Sequence, residues 1–212
     1  MSNITFDKEA RKVNGKEDIE WIRIWCEDTN NESLPRVALI GDSITEGYYK
    51  LVRNALKGVA SVDYLATSYS VASDIYQDIV RKFVNDSNYA VVHYNYGLHA
   101  FGVDDETYQE CCKELVQFLT ARAKTIIATT TTVMDETLES ENLSWKDKVI
   151  VRNEKLTLIA QMLELDIDDL NALCKTLDMD ARNPDGVHFS EKGYIALANS
   201  VVCSIKRQLG IG

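Results

Sequence analysis

Proline is almost missing from this chain: 212 residues contain two, beside ten glycines and three histidines. With so few breakers, no low-complexity tract and no internal repeat, nothing marks a linker or a solenoid. The length suits one domain with a sizeable core. No apolar run approaches the roughly 18–20 residues of a membrane-crossing helix. The opening Met1-Ser2-Asn3-Ile4-Thr5-Phe6-Asp7 has no basic region followed by an apolar stretch, so neither a membrane span nor a signal peptide is expected. Positive charge is also short. Twenty-three Lys and Arg face 33 Asp and Glu, a net charge of −10, which repels nucleic acid and acidic membrane surfaces. The five cysteines (Cys26, Cys111, Cys112, Cys174, Cys203) are odd in number and lack CxxC spacing. That excludes a disulfide framework or zinc ribbon and points to reduced thiols in the cytoplasm. No glycine-rich phosphate loop and no G-x-S-x-G elbow occur. His93 and His99 lack the H-x-x-x-H spacing of a helical metal site, and no cofactor or metal is expected.

What is present is an ordinary globular composition, 45% hydrophobic and 26% charged. Short apolar runs read as strands over 36–41, 61–66, 90–95, 125–130 and 165–169. Helical patterns fill 45–56, 74–85, 104–123, 145–162 and 190–209. Strand and helix alternate, and the strands are apolar throughout. This predicts an α/β fold with a five-stranded parallel sheet covered on both faces, a three-layer α/β/α sandwich. Residues 1–33, with Trp21, Ile22, Ile24 and Trp25, read as an arm packing on a domain of residues 34–212. Ligands in such sheets bind at the carboxyl ends of the strands. Ser43, His99 and Thr131-Thr132 each follow a strand and fall on that edge.

Two segments carry chemistry. Gly41-Asp42-Ser43 follows the apolar run Val37-Ala38-Leu39-Ile40, and Asp185-Gly186-Val187-His188 precedes the last helix. The first puts a hydroxyl where a strand ends and a helix starts, a position that favours developing negative charge. Ser43 alone would read equally well as a helix cap. The second sets a carboxylate three residues before an imidazole, with a turn between them. Asp185 then holds Nδ1–H of His188 and leaves Nε2 to face a serine. Nucleophile, base and orienting acid are all supplied.

These residues resemble the SGNH (GDSL-type) hydrolases. The first block is matched by Gly41-Asp42-Ser43-Ile44-Thr45-Glu46-Gly47 and the last by Asp185-Gly186-Val187-His188-Phe189-Ser190, so the likeness spans about 34–209. The resemblance implies a flavodoxin-like sandwich with a Ser43–His188–Asp185 triad. It also implies an oxyanion hole from the Ser43 N–H, a second-block N–H and a third-block side chain. The middle blocks depart from the pattern. The second, Thr67-Ser68-Tyr69-Ser70-Val71-Ala72-Ser73-Asp74, has no glycine, leaving the N–H of Ser70 or Ala72 as donor. The third reads Gly97-Leu98-His99-Ala100, as in a bacterial subgroup with Asn-x-Gly-Leu-His. There His99 takes the asparagine's place, with Asn95 the alternative donor. Arg152 and Asn153 also match that subgroup. With Asp42, which supports the turn, and Thr131 they complete the residues expected to border substrate. Tyr48 and Tyr49 are candidate walls or core. The activity implied is hydrolysis of small-molecule carboxylic esters, short-chain or acetyl and carbohydrate-borne, through an acyl-serine. A thioesterase or lysophospholipase with the same triad, or a non-catalytic SGNH binding module, stands as the alternative.

Overall fold

Val37 and Leu39 point into one apolar cluster, Ala38 and Ile40 into another, and this period-2 alternation organises the molecule. The computed structural model describes residue 17 and residues 19–99, 102–134 and 145–211. Residues 1–16 and 18 of the expected arm lie outside the described residues. The elements in chain order are β1 (Ile22–Trp25), β2 (Arg36–Gly41), α1 (Ser43–Ala55), β3 (Ser61–Thr67), α2 (Asp74–Asn85), β4 (Tyr89–Asn95) and α3 (Asp105–Thr120). They continue with β5 (Lys124–Ala128), α4 (Trp145–Met162), β6 (Asp166–Asp168), α5 (Leu170–Lys175), a 3₁₀ turn (Met179–Ala181) and α6 (Glu191–Leu209).

The sheet runs β1-β3-β2-β4-β5-β6 among the described residues. From β2 to β6 every pairing is parallel, while β1 lies antiparallel on β3. The parallel part therefore has the flavodoxin-like order, which turns back at β2. Five parallel strands match the expectation from sequence. The sixth, antiparallel edge strand departs from it, because Ile22-Arg23-Ile24-Trp25 pairs with Tyr64 to Thr67 instead of starting a βα unit.

Buried side chains of α1, α5 and α6, with Val149 from the start of α4, share one cluster with one sheet face, and those of α2, α3 and the rest of α4 share the other. This is the three-layer sandwich. Each fully buried Val, Leu or Ile contributes about 1.5–3 kcal/mol, and β2 is buried along its whole length. Its C-terminal end approaches β4 closely. A Cβ on Gly41 would sit 2.0 Å from Thr45 Oγ1 and 2.7 Å from the Asn95 carbonyl oxygen. Glycine there lets α1 start directly above the switch point of the sheet.

Candidate active site

Asp42 ends β2 in an extended conformation and caps α1, its Oδ1 accepting from Ile44 N–H at 2.9 Å. A cap of this kind is worth about 1 kcal/mol. It fixes Ser43 as the first helical residue, where the free amides and the helix dipole favour an anion. Ser43 Oγ lies 2.9 Å from His188 Nε2, and His188 Nδ1 lies 2.8 Å from Asp185 Oδ2. The other oxygen of Asp185 accepts from the amides of Val187 (2.9 Å) and His188 (2.8 Å). Burial works to raise the Asp185 pKa, but those amides and the imidazole outweigh it and hold the carboxyl below its ordinary value. An ionised Asp185 accepts only, so Nδ1 carries the proton and Nε2 is left to take one from Ser43.

The loop bearing His188 is a closed turn. Asn183 N–H donates to the His188 carbonyl at 3.0 Å, Arg182 bridges Phe189, and Gly186 adopts φ +73°. Only glycine takes that backbone region without strain. Two further residues anchor the loop. Arg182 donates to the carbonyls of Thr132 (2.8 Å) and Cys174 (3.3 Å) and lies over the Phe189 ring. Tyr194 of α6 packs on Gly47 of α1, where an added Cβ would be 2.2 Å from the ring. Neither anchor was singled out from sequence. Their partners are main-chain oxygens or a bare backbone and leave no motif.

On the other side of Ser43, the β3–α2 and β4–α3 segments are tied together by a hydrogen bond from Tyr96 Oη to the Tyr69 carbonyl. His99 stands there with its side chain 14% exposed, and its Nδ1 is 2.7 Å from Glu17 Oε1. Trp21 meets the ring edge-on, with centroids 6.4 Å apart. Among the second-block amides, Ala72 N–H is engaged by Ser70 Oγ at 3.2 Å. The amides of Ser70 and Val71 donate to no acceptor among the described residues.

No protein-family model matches the chain, and no curated protein matches it. Solved structures do. A lipase/acylhydrolase from Enterococcus faecalis superposes with TM-score 0.71 at 17% identity, covering 82% of this chain and 96% of that one. A member of the lipolytic G-D-S-L family from Veillonella parvula gives 0.64 at 17% identity over 82% and 100%. The fold is that of the SGNH hydrolases. A mutant of an acetyl-xylooligosaccharide esterase from Geobacillus also superposes, with TM-score 0.64, 18% identity and coverage of 84% of this chain and 95% of that one.

Within this SGNH fold, several residues expected at the substrate are instead buried scaffold. Asp42 is fully buried, and burial pushes its carboxyl pKa up despite the nearby His99, the Ile44 amide and His188. It holds the turn and has no surface to offer a ligand. Arg152, expected to border substrate, is also fully buried. It donates to the carbonyls of Gly97 (3.0 Å) and His99, and its guanidinium lies over Tyr108. Asn153 spends both ends of its amide on Thr130, accepting from N–H at 2.7 Å and donating to C=O at 2.9 Å. Thr131 is 1% exposed, and Asn95, also buried, donates to the Thr129 carbonyl at 3.0 Å. Arg152, Asn153 and Asn95 shape the loops after β4 and β5 through these bonds. Tyr48 and Tyr49 are core. Among the described residues, no group of three potential ligands could hold a metal, and no helix is long and apolar enough to cross a membrane.

Proposed function

We propose that the protein is a serine-dependent carboxylic ester hydrolase acting through an acyl-serine intermediate. The observation that carries this reading is the unbroken line from Ser43 Oγ through His188 to Asp185, at 2.9 and 2.8 Å. Both contacts lie within the reach that general-base activation of a nucleophile requires. Ser43 Oγ attacks the ester carbonyl carbon while His188 Nε2 takes its proton. Asp185 steadies the resulting imidazolium. The ester oxygen then leaves as an alcohol, taking that proton from His188, and Ser43 retains the acyl group. Water repeats the cycle: His188 takes its proton, the hydroxide oxygen joins the acyl carbon, and the acid departs as Ser43 Oγ is reprotonated.

The oxyanion of each tetrahedral intermediate is held by the Ser43 amide, an amide of the Ser70–Val71 stretch and His99. The engaged Ala72 amide and the buried, committed Asn95 side chain argue against those two as donors. The acyl group is short. The loops after β4 and β5 are held by the buried Arg152 and by Asn153, a firm frame that suits a small acyl group. Acetyl esters of carbohydrates are the leading substrate class, in keeping with the similarly folded acetyl-xylooligosaccharide esterase.

Wild type and Ser43→Ala, assayed side by side on p-nitrophenyl acetate, butyrate and octanoate, test the reading. Turnover that vanishes in the variant and declines from acetate to octanoate is expected. Equal rates in both proteins, with no fluorophosphonate label on Ser43, would replace the enzyme by a binding module.

A further inference from the structure

Glu17 reaches the site from outside the region that resembles the family. Its own amide donates to Glu20 Oε1 at 2.8 Å. Glu20 Oε2 accepts from Ser68 Oγ at 2.7 Å, and Ser68 Oγ accepts from Trp21 N–H at 2.8 Å. The Trp21 carbonyl accepts from Thr67 Oγ1 at 2.6 Å and from Ser68 N–H at 3.2 Å. The chain before β1 is thereby stitched to the carboxyl end of β3, the edge on which Ser43 stands. That stitching delivers the Glu17 carboxylate to His99 Nδ1.

The chemistry of this contact is restrictive. An ionised carboxylate only accepts, so Nδ1 of His99 bears the proton. A ring with that proton alone presents a lone pair at Nε2, which would repel an oxyanion. Donation from Nε2 needs the doubly protonated ring. The groups facing it are Glu17 and Glu20 from the N-terminal segment, Asp42 from the β2–α1 turn, the rings of Trp21 and Tyr96, and Arg152 of α4, which grips the His99 carbonyl. Three of these are carboxyl groups. Burial disfavours the charged ring, but the bond to Glu17 and the charges of Asp42, Glu17 and Glu20 prevail and raise the His99 pKa above its ordinary value.

We propose that Glu17 is a positioning residue of the same active site: it fixes Nδ1–H of His99 and keeps Nε2–H available to the oxyanion of the acyl-transfer intermediates. This rests on the esterase reading above. Turnover then needs His188 neutral and His99 charged, so the rate has an alkaline limb that belongs to the Glu17–His99 pair.

The test is the pH profile of kcat and KM on p-nitrophenyl acetate for wild type, Glu17→Gln, Glu17→Asp, His99→Gln and the His99→Gln, Glu17→Gln double variant. The His99 ring is titrated in parallel by NMR. Glu17→Gln should lose about 10- to 100-fold in kcat at pH 8, less than removal of a whole oxyanion donor. KM should stay within about twofold, and the alkaline limb should move about one unit towards neutrality, in step with the His99 titration. Glu17→Asp should recover part of the rate. The double variant should be no slower than His99→Gln alone, since the two residues act as one unit. A wild-type limb and kcat in Glu17→Gln would overturn the proposal while leaving the esterase reading intact. Equal losses in Glu17→Gln and Glu17→Asp with an unmoved limb would also overturn it, because that is what simple loosening of the segment produces. Wild-type protein without Ser43-dependent turnover would defeat the esterase reading and this proposal with it.

Discussion

Among the described residues, serine, histidine and aspartate meet in two sets, and the order of their links differs. At the sheet's carboxyl edge, His188 stands between Ser43 and Asp185, one ring nitrogen to each. Below it, His93 Nε2 meets Asp168 Oδ2 at 3.0 Å, but Ser200 Oγ donates to the other oxygen of the same carboxylate at 2.6 Å. There the aspartate is the hub, the hydroxyl proton is already committed to it, and the imidazole never touches the serine. His93 Nδ1 is buried and has no hydrogen-bond partner among the described residues. Exposure differs as sharply. The His93 and Asp168 side chains are 0% and 2% exposed, while those of His188 and Asp185 are 37% and 49% exposed. Composition does not make a triad; the order of the links and access to solvent do. The lower set ties β4, β6 and α6 together as structure.

The largest expected effect separates the two serines. Ser43→Ala should lower kcat by about 10⁴-fold or more with an unchanged melting curve. Ser200→Ala should leave kcat alone and lower stability by about 1–3 kcal/mol, the range for a hydrogen bond to a charged group. A slowed but equally stable Ser200→Ala would erase the distinction. Next, Asp168→Ala removes one member of a buried pair and should cost about 3–5 kcal/mol, read from urea midpoints, with kcat per folded molecule preserved.

The same carboxylate predicts a pH response. Burial tends to raise the Asp168 pKa, yet His93, Ser200 and Ser204 hold it below its ordinary value. A depressed folded pKa means stability that is present above the unfolded value of about 3.9 and lost as pH falls through the folded one. Wild type should therefore weaken more steeply than Asp168→Asn below pH 4, and parallel urea series from pH 3 to 6 would expose any failure of that ordering. The smallest effect is conformational. Gly186→Ala forces a side chain into φ +73°, which should cost about 1–2 kcal/mol. It should also lower kcat without altering the lower set. Ester turnover and thermal melts on one preparation read both.

Strands β2 to β5 were legible because each is a short, largely apolar and largely buried run, whereas β6, Asp166-Ile167-Asp168, is only half-buried. The first and last blocks were legible because a hydroxyl and a Asp-x-x-His turn are local patterns. The antiparallel β1 was not. Ile22-Arg23-Ile24-Trp25 is a four-residue edge strand with mostly exposed side chains, and its partner strand lies beyond β2 in the chain. The six-residue α5 is too short for a helical period to emerge. The burial of Arg152 was hidden because its acceptors are loop carbonyls, which have no signature in sequence. Glu17 was hidden by distance: its link to His99 spans 82 positions, and nothing in either neighbourhood announces the other.

The Ser43–His188 contact joins residues 145 positions apart, and its geometry depends on Tyr194 of the last helix lying against Gly47 of the first. Until the segment carrying His188 has been made, the Ser43 block stands in a growing chain without that partner. The entropy of closing so long a loop grows only slowly with its length, but contacts of such sequence separation form slowly, and domains fold as units. On the esterase reading proposed above, hydrolytic competence then arrives only when α6 docks against α1. Until that docking the serine is, on the same reading, an ordinary alcohol without its base.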